Sequence, residues 1–262
     1  MSVNKPLVFI TGASSGLGQA LAWRYHQAGW RLALVARRRE AIEAWAQDKG
    51  LPASDWVAYR ADVAQREQII AAAQQCLLQQ GLPDVVIANA GISVGVDSAE
   101  RDDLEVLAHI FATNNLGMAA TFHPFIHPMV AQRRGTLVGI ASVAGIRGLP
   151  GHGGYCASKA GVISYCESLR GEIRPHGVRV VTLSPGYVDT PLTQQNRYGM
   201  PFLMSPEAFA EQAFRAIAAG VSYRVIPWPM GVVAKLMRAL PNAWFDRLLS
   251  GRPRKHRHGE GR

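Results

Sequence analysis

Short apolar runs alternate with longer amphipathic stretches along most of the chain. Runs with the length and composition of buried strands lie at residues 7–10, 31–36, 55–60, 84–88, 136–140, 178–183 and 223–226. Stretches with apolar residues at helical spacing lie at residues 19–29, 38–49, 64–80, 101–122 and 154–174. This alternation predicts an α/β fold, a Rossmann-like doubly wound parallel sheet of about seven strands with helices on both faces.

The residues that follow the predicted strands are polar or glycine-rich. They are the glycine loop at 12–18, Asp62, Asn89–Gly91, Ser142 and Pro185–Gly186. The carboxyl ends of parallel strands meet at one edge of a sheet, and ligands of such sheets bind there. The sequence therefore predicts a functional site at this edge.

The composition is that of one globular domain. The chain has 262 residues, of which 48% are apolar and 18% charged, and no run reaches the roughly 18 apolar residues that a membrane span needs. We expect one catalytic domain over residues 1–250, with a helical extension at about 227–250, and a basic flexible tail at 251–262. The first strand begins almost at once, which leaves no room for a signal peptide.

The cysteines and histidines indicate a reduced compartment and no metal. The three cysteines are an odd number, which fits a cytoplasmic protein better than a disulfide framework. No cysteine pair has metal-ligand spacing, and His123 and His127 have no evident third ligand. We therefore expect a cytoplasmic location and no metal site.

Positive charge is concentrated at the C-terminus. The net charge is +9, and the last eleven residues, RPRKHRHGEGR, contribute +4 of it through five cations and one anion. Such a tail can serve solubility, or it can contact anionic lipid, because an amphipathic stretch precedes it. No nucleic-acid-binding motif accompanies the charge, so no nucleic-acid partner is expected.

The segment LVFITGASSGLG near the N-terminus combines a strand, a glycine turn and a helix start. In this context Gly12 and Gly16 let the backbone approach a pyrophosphate, and Gly18 lets the helix pack closely on the strand. Ser14 and Ser15 offer hydroxyl donors to a phosphate. The same letters match the G-x-S-x-G motif of α/β hydrolases, but the eleven preceding residues cannot hold an oxyanion loop. The segment therefore predicts a dinucleotide-binding loop.

Tyr155 and Lys159 form a Y-x-x-x-K pair on a predicted helix, and Ser142 lies thirteen residues before the tyrosine. Positions i and i+4 share one helix face, so the ammonium can approach the phenol and lower its pKa from near 10. A phenol tuned in this way can exchange a proton with an alcohol or carbonyl, and a serine can hydrogen-bond the same oxygen. The pattern predicts the substrate half of a hydride-transfer site.

The end of the second strand indicates which nicotinamide cofactor is preferred. NAD-binding sheets usually place an acidic residue there, which accepts from the ribose 2′-hydroxyl. This chain has Ala36 followed by Arg37, Arg38 and Arg39. Guanidinium groups suit the 2′-phosphate of NADP(H). Arg37 and Arg38 are therefore predicted contacts, with NADP(H) preferred and NAD(H) second.

Together these motifs resemble those of the short-chain dehydrogenase/reductase family, in its short single-domain branch, over about residues 5–226. TGASSGLG is similar to the family's cofactor loop, and Asn89–Gly91 to the motif that steadies the central sheet. SPGYVDT, at 184–190, is similar to the segment that contacts the nicotinamide carboxamide. The order and spacing of these motifs along the chain match the family.

The resemblance implies a role for each residue of a catalytic tetrad. Tyr155 is the general acid in reduction and the base in oxidation, Lys159 lowers its pKa and binds the nicotinamide ribose, and Ser142 orients the substrate oxygen. Asn114, in NNLG, holds a water in a proton relay to Lys159, with Asn115 as the competing assignment. The implied cofactor-binding residues are Gly12, Ser14, Ser15, Gly16, Leu17, Gly18, Arg37, Arg38, Asp62, Val63, Asn89, Ala90, Gly91, Tyr155, Lys159, Pro185, Gly186, Val188 and Thr190.

The substrate is expected to lie among loops around the catalytic tyrosine. The predicted substrate-binding residues are Ser142, Ile146, Leu149, His152, Tyr155, Tyr187 and Leu192. The loop at 192–204 also contains Tyr198, Met200, Phe202 and Met204. An apolar, methionine-rich loop suits an adaptable lid over a bulky lipophilic substrate, although these residues could equally cap the core.

The residues after Ile226 depart from the family's common C-terminus. Apolar residues recur at helical spacing from Val232 to Leu240 and again from Trp244 to Leu249. This extension can pair the subunits of a homodimer or homotetramer, cover the active-site mouth, or lie on a membrane with the basic tail at the headgroups. We expect oligomer or lid packing first and peripheral membrane contact second.

The sequence thus predicts an oxidoreductase that transfers a hydride between NADP(H) and a carbonyl or secondary alcohol of a hydrophobic small molecule. A 3-oxoacyl-thioester reductase of lipid metabolism is the leading alternative. A non-catalytic nucleotide-sensing protein is the alternative from another class. The intact tetrad argues against a sensor, which needs the cofactor loop but not the proton relay.

Overall fold

The structure is a computed structural model, and it describes residues 5–194, 196 and 199–251. A seven-stranded sheet in the order β3-β2-β1-β4-β5-β6-β7 has every neighbouring pair parallel. Its strands are β1 (Leu7–Thr11), β2 (Arg31–Ala36), β3 (Trp56–Arg60), β4 (Val85–Ala88), β5 (Thr136–Ile140), β6 (Arg179–Pro185) and β7 (Tyr223–Ile226). The strand order reverses between β1 and β4, which makes that crevice the position where such sheets bind ligands.

Helices connect these strands and cover the sheet. They are α1 (Gly16–Gln27), α2 (Arg39–Asp48), α3 (Arg66–Gln79), α4 (Asp103–Phe111), α5 (Gly117–Gln132), α6 (Gly153–Ile173), α7 (Pro206–Ala218), α8 (Trp228–Ala239) and α9 (Asn242–Leu249). A π-helical turn at Ala112–Leu116 joins α4 to α5, and a 3-10 turn at Val143–Gly145 follows β5. The predicted Rossmann-like fold is confirmed.

Alternate residues of each strand face opposite sides of the sheet, and helices bury both sides. Val8 and Ile10 pack in one cluster with α1, α2 and α7, whereas Leu7 and Phe9 pack in another with α3, α5 and α6. All four side chains are buried. A strand covered on both faces is apolar at every position, which is why β1 shows no alternation of apolar and polar residues.

The prediction of a single helix over 101–122 is wrong in the middle of that range and at its C-terminal end. The chain forms the π-helical turn at Ala112–Leu116, and α5 then continues to Gln132 with Pro124 and Pro128 inside it. A proline inside a helix costs about 3 kcal/mol, because a backbone hydrogen bond is lost. Buried side chains of α5 pack against the sheet at Phe122, Phe125 and Met129. Their burial, worth about 1.5–3 kcal/mol each, offsets the cost of the prolines.

Helix α7 has no counterpart among the predicted elements. The Ser205 hydroxyl accepts a hydrogen bond from the backbone N–H of Ala208 at 3.1 Å, and Pro206 occupies the first helical turn. Phe209 and Ala213 are fully buried in the cluster that includes α1. The helix therefore has both a start signal and an apolar face.

The C-terminal extension forms α8 and α9, as its periodicity predicts. Met230, Ala234, Phe245 and Leu249 are buried. In the described part of the chain, no helix is both long and apolar enough to cross a bilayer. The predicted basic tail lies outside the described residues from position 252 onward.

Candidate active site

The loop between β1 and α1 brings the backbone close to the end of β4. Gly12 has a φ of +68°, and a Cβ there would lie 2.9 Å from the Cα of Ala90. A Cβ on Gly18 would lie 2.1 Å from the Gly12 carbonyl oxygen, so α1 can pack on the loop only with glycine at this position. The first-turn N–H groups of α1 have no intrahelical partner and carry the positive end of the helix dipole. Such a helix start suits a phosphate group.

Hydrogen bonds fix the end of β4 to the end of β1. The Asn89 side-chain amide donates to the Thr11 carbonyl at 2.9 Å. The Thr11 hydroxyl accepts from the backbone N–H groups of Asn89 and Ala90, both at 3.1 Å. Thr11 is buried, so water does not compete for these bonds. They account for the steadying role that the family resemblance implies for this motif.

Arg37 and Arg38 follow the end of β2. Both are exposed, and both line the same cavity as the glycine loop. The next arginine, Arg39, is held by an ion pair with Glu43 at 2.7 Å. Within the described chain neither Arg37 nor Arg38 forms an ion pair, so their guanidinium groups are available to an anionic ligand.

Ser142, Tyr155 and Lys159 come together in this cavity. The Ser142 hydroxyl hydrogen-bonds the Tyr155 hydroxyl and accepts from the backbone N–H of Ala144 at 3.2 Å. Tyr155 and Lys159 lie one turn apart on α6, and the Lys159 Nζ is 5.9 Å from the centre of the tyrosine ring. The structure therefore brings the three residues into one group.

Asn114 lies in the π-helical turn between α4 and α5. Its side-chain amide donates to the Ile92 carbonyl at 3.0 Å and to the Ser158 hydroxyl at 2.9 Å. Its side-chain oxygen accepts from the Ile92 N–H at 2.9 Å. These bonds hold a buried amide in one orientation. Turns of this kind recur at functional sites.

Of the two neighbouring asparagines, Asn114 is the one whose side chain lies near Lys159. A Cβ on Gly91 would lie 3.2 Å from the Asn114 Oδ1 and 3.3 Å from the Lys159 Nζ. The Asn115 amide instead donates to the Ser158 carbonyl at 2.8 Å. The geometry thus favours Asn114 over the competing assignment.

Burial dominates the proton affinities of the tyrosine and the lysine. It raises the pKa of Tyr155 to about 12, against the lowering effect of the hydrogen bond from Ser142. It lowers the pKa of Lys159 to about 8. The ammonium donates to the Ile140 carbonyl at 2.7 Å. Burial is the largest influence on the Tyr155 phenol and disfavours the phenolate, and the lowering of its pKa by Lys159 stays a prediction.

Lys159→Met is expected to stabilise the fold at neutral pH. Lowering the lysine pKa from 10.5 to about 8 costs the folded state about 3 kcal/mol below pH 8. Between pH 8 and 10.5 the unfolded chain binds more protons than the folded chain, so wild-type stability rises across that window. The variant removes the buried charge but leaves the Ile140 carbonyl without its donor, a cost of about 1 kcal/mol. Urea unfolding should therefore show a gain of about 2 kcal/mol at pH 7 that shrinks towards pH 10.5.

The matched control for this substitution is Lys235→Met, because Lys235 is exposed on α8. It should leave the free energy of unfolding within about 0.5 kcal/mol of wild type at both pH values. A Lys159→Met gain that did not change with pH would contradict the charge argument.

One open cavity of about 420 Å³ joins these groups at the carboxyl edge of the sheet. The predicted cofactor residues that line it are Gly12, Ser14, Ser15, Gly16, Leu17, Arg37, Arg38, Asp62, Val63, Asn89, Ala90, Gly91, Tyr155, Lys159, Pro185, Gly186, Val188 and Thr190. Gly18 is not part of the wall, because it lies behind the loop against the Gly12 carbonyl. The donors and the close backbone approach at the glycines fit a nicotinamide dinucleotide.

The predicted substrate-binding residues do not all line the same cavity. Ser142, Tyr155 and Leu192 line the main cavity. Ile146 and Leu149 line a separate cavity of about 490 Å³, bounded by the loop after β5, α6, α8 and α9. They lie away from the cavity that Tyr155 lines, because this part of the loop turns towards the C-terminal helices, and their contact with substrate stays a prediction.

His152 and Tyr187 are also not part of the main cavity wall. His152 is buried, with its Nδ1 3.2 Å from the Pro150 carbonyl oxygen. The Tyr187 carbonyl accepts from the Met204 N–H at 3.1 Å, which ties the loop at 192–204 to the strand end. Tyr198 lies outside the described residues.

Some residues of the cavity wall have no counterpart in the sequence-based set. They are Val35, Ala36, Ala61, Ile92, Ser93, Thr113, Ile140, Ala141, Pro191 and Thr193. Ile92 and Ser93 directly follow Asn89–Gly91, and Thr113 directly precedes Asn114. Their position next to a recognised motif at the end of a strand is the sequence signal that could have identified them.

Comparisons with known proteins agree with this geometry. A family model described as short chain dehydrogenase matches residues 6–200, which contain the glycine loop and the tetrad. The chain is 36% identical over 237 residues to an uncharacterized oxidoreductase of Myxococcus xanthus, covering 90% of this chain and 93% of that protein. It is 32% identical over 275 residues to dehydrogenase/reductase SDR family member 7B of Bos taurus, covering 97% and 83%. A solved structure of 3-ketoacyl-(acyl-carrier-protein) reductase from Brucella melitensis, complexed with NADH, matches with a TM-score of 0.76 at 26% identity, covering 86% and 98%.

Proposed function

The chain belongs to the short-chain dehydrogenase/reductase family, and on this premise we propose that it reduces a carbonyl of a hydrophobic small molecule with NADPH, or oxidises the corresponding secondary alcohol with NADP⁺. The family match identifies it as an oxidoreductase of this family. The observation that carries the proposal is that Ser142, Tyr155 and Lys159 share one cavity with the glycine loop.

Tyr155 is the proton donor in the proposed reduction. When bound, the nicotinamide ring supplies the hydride in reduction or accepts it in oxidation. The Tyr155 hydroxyl gives its proton to the substrate oxygen as that oxygen gains charge, and the Ser142 hydroxyl hydrogen-bonds the same oxygen. A pKa of about 12 keeps the phenol protonated at neutral pH. This protonation state fits the role of Tyr155 as the acid in the reductive direction.

Lys159 and Asn114 serve the return of the proton. The lysine pKa of about 8 lets its ammonium give up a proton near neutral pH. The approach of the Asn114 Oδ1 and the Lys159 Nζ to the same backbone position at Gly91 supports a relay through a water molecule. After Tyr155 has given its proton to the substrate, this relay would restore it.

Arg37 and Arg38 support the preference for NADP(H). Both line the cavity, and the residue at the end of β2 is Ala36, so no carboxylate stands there to repel a 2′-phosphate. An arginine fork binds phosphate through parallel charge-assisted hydrogen bonds. NAD(H) remains the second cofactor, and the Brucella melitensis reductase, complexed with NADH, supports keeping it in the test.

A hydrophobic substrate is supported by apolar residues of the cavity wall. Ile92, Val188, Pro191 and Leu192 line this cavity. The similarity to the Brucella melitensis 3-ketoacyl-(acyl-carrier-protein) reductase favours one specific second candidate, reduction of a 3-oxoacyl thioester.

The test of the proposed function starts with cofactor binding. The purified protein is titrated with NADPH and with NADH while nicotinamide fluorescence is followed. Oxidation of the bound cofactor is then measured with lipophilic ketones, with an acetoacetyl thioester and with small polar ketones. Turnover of lipophilic ketones supports the main proposal, and turnover of the thioester alone supports the second candidate. Binding of neither cofactor would overturn the enzymatic role.

We also propose a cytoplasmic homodimer or homotetramer with peripheral membrane contact through the C-terminal extension. The three cysteines are buried and free, which supports a reducing compartment. On α8 and α9 the large apolar side chains that are exposed are Trp228, Val232, Leu236, Trp244 and Leu248. The cations Lys235, Arg238 and Arg247 lie on the same two helices, and the sequence after them adds a net +4. Exposed tryptophans beside cations suit an anionic lipid surface.

Trp228→Ser with Trp244→Ser is expected to weaken vesicle binding at least tenfold, because both indoles are 71% exposed and would insert at the headgroups. Co-sedimentation with phosphatidylglycerol-containing and with neutral phosphatidylcholine vesicles measures this. Leu78→Ser is the control, since Leu78 is an exposed apolar residue of α3. If the double variant instead lowers the subunit number in light scattering while vesicle binding is absent, the face is a subunit interface.

A further inference from the structure

The loop after β5 is fastened to the C-terminal helices by one arginine. The Arg147 guanidinium donates to the Met237 carbonyl and, at 2.8 Å, to the Leu240 carbonyl. It also donates to the Asn242 Oδ1 at 3.1 Å. Its central carbon lies 3.7 Å from the centre of the Phe245 ring. One side chain therefore contacts α8, α9 and the residues that join them.

These contacts cap the C-terminal end of α8. The last carbonyls of a helix have no intrahelical donor and carry the negative end of its dipole. Arg147 supplies both a donor and a positive charge at the end of α8, where Leu240 is the C-cap residue. The Phe245 ring stacks on the same planar guanidinium, so α9 is oriented by it. A lysine ammonium cannot provide both the forked set of donors and the planar group that stacks on a ring.

The same loop connects the catalytic serine to the catalytic tyrosine. It begins at Ser142 and ends at the start of α6, which carries Tyr155. Its first turn packs tightly on α6, since a Cβ on Gly145 would lie 2.7 Å from the Lys159 backbone carbon. One end of the loop is thus fixed to the catalytic helix and its middle to the C-terminal extension.

We propose that Arg147 is a positioning residue, through which the C-terminal extension fixes the loop that carries Ser142 and thereby sets the distance between the serine and tyrosine hydroxyls. It does not touch the reacting atoms, because it lines the separate cavity between the loop and the helices. The inference rests on the proposed function for its kinetic part only. A displacement of about 1 Å in a catalytic group can cost up to about 100-fold in rate.

Arg147→Met, Arg147→Lys and Phe245→Leu test this role against wild type. With the ketone that wild type reduces best, Arg147→Met is expected to lower kcat about tenfold, with the Kd for NADPH within about twofold of wild type. Arg147→Lys and Phe245→Leu should each lower kcat less than Arg147→Met does, because each variant keeps some of the contacts. Arg174→Met is the matched control, since Arg174 is exposed just beyond the far end of α6.

Hydrogen–deuterium exchange gives a readout that does not depend on turnover. Amides at 143–152 and 236–242 should exchange about tenfold faster in Arg147→Met, with those of β1 and α1 unchanged. If wild type turns over no carbonyl, the proposed function fails while the exchange result still decides whether Arg147 holds the loop. Unchanged exchange in both Arg147→Met and Phe245→Leu would overturn the inference. A kcat loss matched by an equal loss of folded protein would overturn it too.

Discussion

Tyr155→Phe is expected to lower kcat by about 1,000-fold or more while the protein still binds NADPH as tightly as wild type. The phenol lines the cavity beside Ser142 and is the proton donor of the proposed reduction. Phenylalanine keeps the ring and removes only the hydroxyl, so the cavity keeps its shape. Single-turnover reduction and NADPH fluorescence titration measure the two quantities separately.

The control for this substitution is Tyr165→Phe, because Tyr165 lies on the same helix and is 38% exposed. It should leave kcat unchanged. A nucleotide-sensing protein would behave differently, since its cofactor-dependent function would survive loss of the Tyr155 hydroxyl. Full activity in Tyr155→Phe would remove the tyrosine from the proposed mechanism.

The double substitution Arg37→Ala and Arg38→Ala is expected to weaken NADPH binding by about 100-fold and NADH binding by less than about threefold. The two guanidinium groups are the cations at the end of β2 that line the cavity, and a charge-assisted hydrogen bond contributes about 1.5–3 kcal/mol. Because both side chains are exposed, salt should reduce the wild-type preference as well. Titration with each cofactor at low and high ionic strength measures these effects.

Arg39→Ala serves as the matched control, because Arg39 pairs with Glu43. It should change the ratio of the two dissociation constants by less than about threefold, as expected for an exposed ion pair. Equal binding of NADPH and NADH by wild type would sink the assignment of a 2′-phosphate site to Arg37 and Arg38.

The parallel sheet could be predicted because each strand carries its own signal. The predicted bounds of β2, β5 and β7 agree with the structure. β2 and β5 are almost wholly buried, and buried parallel strands are short, nearly continuous apolar runs. Helix α7 could also have been predicted from the sequence, because Ser205-Pro206-Glu207 is a helix-start signal. The path of α5 through two prolines could not, since the packing that tolerates them comes from sheet and helix residues distant in the sequence.

The cofactor half of the site was easier to predict than the substrate half. Residues at strand ends are placed by the sheet itself, and nearly all of those predicted line the main cavity. Ile146 and Leu149 lie on a loop whose direction depends on Arg147 and its contacts with α8 and α9. No local pattern encodes a contact between residues 93 positions apart. The high pKa of Tyr155 likewise depends on burial, which the spacing of two residues cannot reveal.

The position of β1 in the sheet has a consequence for synthesis of the chain. β1 lies between β2 and β4, and the backbone N–H of Leu7 bonds a side chain 77 residues later. While β4 is still being translated, one side of β1 is therefore an open edge made of the apolar residues LVFI. Unpaired apolar edges recruit other chains, so the nascent protein should be most prone to aggregation at this stage. Binding of a nicotinamide cofactor cannot protect it then, because Tyr155 and Lys159 have not yet been made.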